Sequence, residues 1–319
     1  MVELLDKILL HPKTPKAAAR TLEQILRGGK SIRVSRDRSR RRELASKLSR
    51  KPELVGLMDP AAGYGWIPHN MLGEIPAAVE FAKKALEKWR SEDHANERRR
   101  GKRGEEYLVH MFQAFRYEEA PPLFDLALSD EVLQIATEYL GEVPVLSKVQ
   151  VLWSPVNSRM KGSQLYHRDD RQWFSRRAKF VFAATDVDDS SGPFTFLPAN
   201  LSERVSRDIG GFKMQNRVTD EEMYRYVSHD DELKFVGPAG SGLVIDSNRC
   251  FHFGSRSRGS ERLVMMFSFF GTLDLPPGRG KGDVWRSPAY LERFGDDPVR
   301  MAVIPDNESA GNLVTHDEH

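Results

Sequence analysis

Residues 165–170 read LYHRDD, placing a histidine and an aspartate two apart in an apolar, strand-like stretch. On a strand, residues i and i+2 share a face, so His167 and Asp169 are expected to project side by side with Arg168 turned away. That pair suits a metal if a third ligand exists. Of the nine histidines, His11, His94, His316 and His319 lie in polar or terminal stretches, and His69 follows a proline. His110 belongs to a helical half, and His229 precedes two aspartates in a long insertion. His252 differs, because RCFHFGS reads as a strand in the same region as His167. His167, Asp169 and His252 make a 2-His-1-carboxylate set, which leaves positions open on non-heme Fe(II) for substrate-derived ligands and O₂. Zinc more often takes histidine-rich or cysteine-containing sets. Taken singly, each residue has an ordinary use: a strand histidine is commonly a satisfied core side chain, and an aspartate after arginine can simply end a strand.

The elements that must hold these groups change character near residue 145. Before it, the signals are helical. Thr14 and Pro15 cap a segment with Leu22, Ile25 and Leu26 at helical spacing, stopped by Gly28 and Gly29. Residues 76–97 carry Val79, Ala82, Leu86 and Trp89 on one stripe. Ser129 caps a helix through Val132, Ile135, Ala136 and Tyr139 to Gly141. After residue 145, KVQVLWS, QLYHRD, AKFVFAATDV, GPFTFLPA, LKFVGP, GLVIDS, RCFHFGS and RLVMMFSFF read as strands bounded by turn residues. Such a series predicts a mainly β sandwich or jelly roll flanked by helices. The expected organisation is a helical region over 1–145 packing on a core over 146–275, then an extension over 276–319 with a polar, disordered tail from about Asp306. Within the core, residues 201–231 form an insertion of lid or substrate-loop length, with a capping box at Thr219 and Glu222.

Composition bounds the function. At 319 residues with 39% hydrophobic content, the chain can bury a sizeable core. No run approaches the roughly 18 apolar residues of a membrane span, and the acidic start is unlike a secretory signal, so a cytoplasmic protein without a membrane partner is expected. The single cysteine, Cys250, excludes an intramolecular disulfide framework and reads as a small core residue. A net charge of +2 argues against a surface built for nucleic acid. The basic runs RVSRDRSRRR at 33–42 and ERRRGKR at 97–103 keep a non-catalytic nucleic-acid binder as the competing class. They read as solvated charge without stacking aromatics. Oligomeric state is left open, a homodimer included.

The segments SQLYHRDDRQWFSRRAKFVFAATDVDDSSGPFTFLPAN and GSGLVIDSNRCFHFGSRSRGSERLVMMFSFF resemble the phytanoyl-CoA dioxygenase family of Fe(II)/2-oxoglutarate oxygenases. The HxD, the glycine-led strand ending in a proline turn, the distal histidine and a following arginine come in that family's order. The resemblance spans roughly residues 129–271 and implies a double-stranded β-helix with a cupin-like core. It also implies Fe(II) on His167, Asp169 and His252, with 2-oxoglutarate and O₂ as cosubstrates. 2-Oxoglutarate would be decarboxylated to succinate and CO₂ as a substrate hydrogen is abstracted. Arg262 is the expected cation for its 5-carboxylate, since Arg262, Val264, Met266 and Ser268 share one strand face. Arg256 and Arg258, in a Ser/Gly/Arg turn, read as solvated. Some relatives carry a hydroxyl two residues after the arginine; Val264 stands there, so Gln164 or Ser268 is expected to complete the anchor. Related halogenases replace the carboxylate with a small residue, so the intact Asp169 favours hydroxylation of a small molecule. Desaturation, epimerisation and cyclisation stay open. Around the HxD, Arg168, Asp170, Arg171, Trp173, Arg176 and Arg177 form either a polar substrate contact or a charged strand edge. Trp153 and Tyr166 read as cavity-lining or packing aromatics.

Overall fold

The computed structural model describes residues 28–91, 107–112, 116–158, 160–169, 176–209, 217–272 and 285–304. Its centre is a pair of antiparallel sheets. The larger orders its strands β1 (Tyr64–Ile67), β7 (Gly242–Ile245), β4 (Arg177–Ala183), β9 (Arg262–Phe270), β3 (Val145–Ser154) and β2 (Val109–Phe112). The smaller orders β6 (Leu233–Phe235), β5 (Phe194–Phe196) and β8 (His252–Phe253).

Strands β4 and β9 are apolar almost throughout because both their faces are covered. Phe180, Phe182, Leu263, Met265, Phe267 and Phe269 pack against helices α2 (Ile75–Ser91), α3 (Pro121–Ala127) and α4 (Asp130–Leu140). The alternate residues Val181, Ala183 and Val264 meet Phe194, Phe196 and Phe235 of the smaller sheet. Period-2 alternation thus separates a helix-covered face from an inner face that can carry a site.

The predicted helices at 76–97 and after Ser129 correspond to α2 and α4. Residues 92–97 lie outside the described residues. Ser129 Oγ accepts from Val132 N, and Gly141 takes the left-handed conformation at φ 77° that ends α4. The expected helix ending at Gly28 falls on residues outside those described. Gly28 opens α1 (Gly28–Leu44), whose arginine-rich sequence is a good helix former. Nor is the basic run wholly solvated. Arg41 is buried, donates to the carbonyls of Val143 and Pro144, and pairs with Asp37 at 2.8 Å, fastening α1 to the start of β3.

The region before residue 145, expected to be helical, also supplies both edge strands of the larger sheet. At four residues each, YGWI and VHMF are too short to show a period. Gly65 in β1 is required by packing, because a Cβ there would lie 2.0 Å from the Leu57 carbonyl oxygen.

Within the expected insertion stand α5 (Ala199–Asp208) and α6 (Asp220–Met223), the latter capped by Thr219, whose Oγ1 accepts from Glu222 N. Residues 210–216 lie outside the described residues. The C-terminal helices α7 (Pro288–Phe294) and α8 (Pro298–Val303) are tied to the helical layer by Arg300, which donates to Asp130 and the Leu128 carbonyl. The expected disordered tail from 306 lies outside the described residues. No described helix is long and apolar enough to cross a membrane.

Candidate metal centre

QLYHRD does not form the expected strand. It makes two single antiparallel bridges, Tyr166 with Val218 and His167 with His252. The second bridge joins the early and late motifs across 85 residues of chain, and Asp169 N donates to Ser247 O at 3.0 Å to hold the next turn. The His167 and His252 rings stand 4.3 Å apart, and Asp169 Oδ1 lies 4.0 Å from His167 Nε2 and 3.7 Å from His252 Nε2. All three groups present a ligand atom within 4.8 Å of one another, an arrangement that could hold a metal ion. Donors bound at about 2.1 Å in an octahedral site sit about 3 Å apart, so occupancy needs an inward shift of under about 1 Å.

The protonation states suit a metal. His167 Nδ1 meets the Leu165 carbonyl at 2.9 Å and His252 Nδ1 the Cys250 carbonyl at 3.0 Å. A carbonyl only accepts, so each Nδ1 carries the hydrogen and each Nε2 offers its lone pair toward Asp169. Burial pushes both histidines below their ordinary range, well below it for His167. Asp169 goes the other way: burial would raise it, but Lys179 and then Arg177 hold the carboxyl well below the usual range. Two neutral imidazoles and one carboxylate result, without protons to displace.

The far oxygen of Asp169 is fully used. Oδ2 accepts from Arg177 Nη1 at 2.6 Å, from Ser247 Oγ at 2.7 Å and from Lys179 Nζ. These three donors turn Oδ1 toward the imidazoles. The sequence reading missed Lys179 and Ser247. The signal was there in AKFVFA, because a lysine on the inward period of a buried strand needs a carboxylate.

Arg262 begins β9 on the inner face, 2% exposed. Its Nη2 donates to Ser255 Oγ at 3.2 Å, while Nε and Nη1 are buried without a partner. Burial lowers its pKa to about 10. A Cβ on Gly254 would lie 3.4 Å from that Nη2 and 3.9 Å from Phe194, and the Phe194 ring stacks on His252 at 4.9 Å. The guanidinium, with two of its donors unused, therefore sits one aromatic ring from the triad.

The other expected residues scatter. Gln164 is buried near this arginine, but its amide is engaged with Asn157 Oδ1 and the Ser255 carbonyl, both at 2.7 Å. Ser268 shares the face of Arg262 but stands six residues along, roughly 20 Å away, paired in register with Lys179. It cannot reach a group held by Arg262. Trp153 lies on the opposite face from Leu152, donates to Glu261 at 3.0 Å and meets the Trp89 ring at a tilt, with centroids 5.1 Å apart. Tyr166 is buried, with its ring 4.8 Å from Phe253 and its hydroxyl on Glu232, which also accepts from Tyr224. Arg168 covers the Phe251 ring, and Arg176 the Tyr139 ring, each at 5.5 Å. Asp170, Arg171 and Trp173 lie outside the described residues.

Arg258 is exposed, but Arg256 is not the solvated charge expected. It grips Asp220 with two bonds of 2.9 and 2.7 Å, donates to the Gln164 carbonyl and lies 3.4 Å above the Phe253 ring. That clamp fastens α6 beside the HxD turn. Cys250 is buried with Sγ toward the Ala62 and Gly63 carbonyls, and burial raises its thiol pKa.

No family model matches the chain, and no curated protein does either. Similar solved structures include the epimerase SnoN in complex with Fe3+, alpha ketoglutarate and nogalamycin RO, at 17% identity over 69% of this chain and 84% of that one, with a TM-score of 0.44. HygX from Streptomyces hygroscopicus with nickel and 2-oxoglutarate gives 15%, 70%, 88% and 0.48. EctD from S. alaskensis with bound Fe gives 14%, 70%, 78% and 0.49. At these values the likeness carries no argument about chemistry, which rests on the side chains.

Proposed function

We propose that this chain is a non-heme Fe(II)/2-oxoglutarate-dependent dioxygenase, built on a double-stranded β-helix spanning about 146–275 and completed by edge strands from the preceding region. The observation that carries the reading is the pairing of a metal-ready His167–Asp169–His252 set with a buried arginine that has two donors unused. A triad alone suits several metals; an unpaired cation beside it calls for an anion. His167, Asp169 and His252 would hold the iron, and Arg262 would take the distal carboxylate of 2-oxoglutarate.

The group supplies, when bound, O₂ activation coupled to loss of CO₂ and formation of succinate. The protein's own residues do the rest. Arg177, Lys179 and Ser247 keep Oδ2 of Asp169 turned away, so that the carboxylate offers one oxygen to the metal. The Leu165 and Cys250 carbonyls hold the two imidazoles in the Nε2-donating tautomer. Phe194, Phe196, Val181 and Val264 exclude water from the inner face. A retained carboxylate supports hydroxylation of a small molecule as the outcome.

The test is succinate formation from 2-oxoglutarate under air with Fe(II), which proceeds slowly even without substrate in such enzymes. It should be present in the native protein and lost, together with bound metal, in Asp169→Ala. Succinate at the native rate in that variant would sink the assignment.

A further inference from the structure

Strand β7 hands the chain to β8 through a turn at Asp246–Cys250, and Asp169 and His252 of the triad both lean on that turn. Ser247 offers its carbonyl to Asp169 N at 3.0 Å and its hydroxyl to Asp169 Oδ2 at 2.7 Å. The Cys250 carbonyl accepts from His252 Nδ1 at 3.0 Å. Any shift of the turn therefore moves Oδ1 of Asp169 and Nε2 of His252 together. A metal ligand has to be held to within about 0.5 Å of its working place, so whatever fixes the turn bears on the metal.

Asp246 fixes it. Its Oδ1 accepts from Asn248 N at 3.1 Å and Arg249 N at 3.3 Å, the local pattern by which an aspartate shapes a turn. Its carbonyl accepts from Arg249 N and Cys250 N, and its own N donates to Gly63 O at 2.8 Å. Oδ2 accepts from the Tyr139 hydroxyl of α4 at 2.6 Å. Arg249 closes the network, donating through Nη1 to the Tyr139 hydroxyl and the Pro60 carbonyl and through Nε to Glu203 of α5. An aspartate that only shapes a turn sits at the surface, where water serves its second oxygen. Asp246 is fully buried, as are Ser247 and Asn248. Burial raises its carboxyl to about 6, which leaves it ionised at pH 7.5. Burying that charge is costly, and Oδ1 alone would shape the turn. What Oδ2 adds is a fixed bearing of the turn on the helix layer.

We propose that Asp246 is a positioning residue of the metal centre: anchored by Tyr139, it sets the turn that aims Asp169 through Ser247 and His252 through the Cys250 carbonyl. The proposal rests on the reading of the triad as a metal site. Asp246 touches none of the three ligands' donor atoms. It acts one step further out, by holding the groups that orient two of them. Helix α4 thereby becomes part of the metal site's support, although none of its side chains faces the metal.

The test is a double-mutant cycle read by EPR titration with Mn(II) at pH 7.5, on the native chain, Asp246→Asn, Ser247→Ala and the double variant, with thermal melts in parallel. Asp246→Asn keeps the size and one acceptor oxygen but loses the charge and the acceptor for Tyr139. Its Kd for Mn(II) should rise about tenfold, the lower end for loss of an outer-shell partner. In the Ser247→Ala background the same change should raise Kd by about threefold or less, because the route through Ser247 is already cut. Tyr139→Phe removes only the hydroxyl; it takes the place of Asp246→Asn in the cycle should that variant fail to fold, with the same expectation. Mn(II) affinity within about twofold of native in the folded variant, whatever its Tm, overturns the proposal, since the aspartate then serves stability alone. Effects of the two substitutions that simply multiply in Kd overturn it as well. Failure of the native protein to bind Mn(II) at all overturns the metal-site reading beneath it.

Discussion

Replacing Arg262 by methionine separates binding from stability, because the two should move in opposite directions. In the ligand-free protein the guanidinium is buried with Nε and Nη1 unpaired. Its pKa falls from 12.5 to about 10, and since both folded and unfolded chains carry the charge at pH 7, the full cost of burying it is present there. At about 1.4 kcal/mol per pKa unit that cost is roughly 3 to 4 kcal/mol. The Ser255 hydrogen bond returns about 1 kcal/mol. Arg262→Met, of similar length and apolar, should therefore stabilise the ligand-free protein by about 2 kcal/mol, a rise in Tm of about 4 °C. Binding should suffer: a charge-assisted contact contributes about 1.5–3 kcal/mol, so 2-oxoglutarate affinity should fall about tenfold to more than a hundredfold. Thermal melts with and without 2-oxoglutarate, in the presence of Mn(II), read both effects. A variant that melts lower than the native protein while binding 2-oxoglutarate equally would refute the reasoning on both counts.

Two further outcomes follow from the geometry. His167 and His252 are held below their ordinary value of 6.5, so the folded state stays unprotonated where the unfolded chain takes up protons. Stability is therefore full above pH 6.5 and lost progressively as pH falls below it, while Mn(II) affinity should change little between pH 7.5 and 6.5; denaturant melts and EPR titrations across that range check both. Arg256→Ala removes the two-bond grip on Asp220 and should speed backbone hydrogen exchange over residues 218–226 about tenfold or more, with metal binding retained; unchanged exchange would show that the Glu232 hydroxyl network holds α6 alone.

The sequence by itself determined the donor types and most of the strands. HxD and RCFHFGS identified His167, Asp169 and His252, since only nine histidines exist and only two lie in strand-like segments that bracket the same β region. Seven of the eight apolar stretches became strands in place, and Ser129 and Gly141 marked α4, because caps and period-2 alternation are local properties. Tertiary structure decided what depended on partners far along the chain. The edge strands β1 and β2 were invisible because four residues carry no period, and they form only where β7 and β3 offer unpaired backbone. Lys179 and Ser247 became the holders of Asp169 through contacts 10 and 78 residues away. Trp153 and Leu152, neighbours in sequence, parted to opposite faces, and Arg256, read as a turn charge, was drawn inward by Asp220. Ser268 likewise shares a face with Arg262, but six residues of strand put it beside Lys179 instead. Which groups can bind a metal is written in residue type, whereas which atom of each turns toward it is set by the hydrogen bonds on its other side.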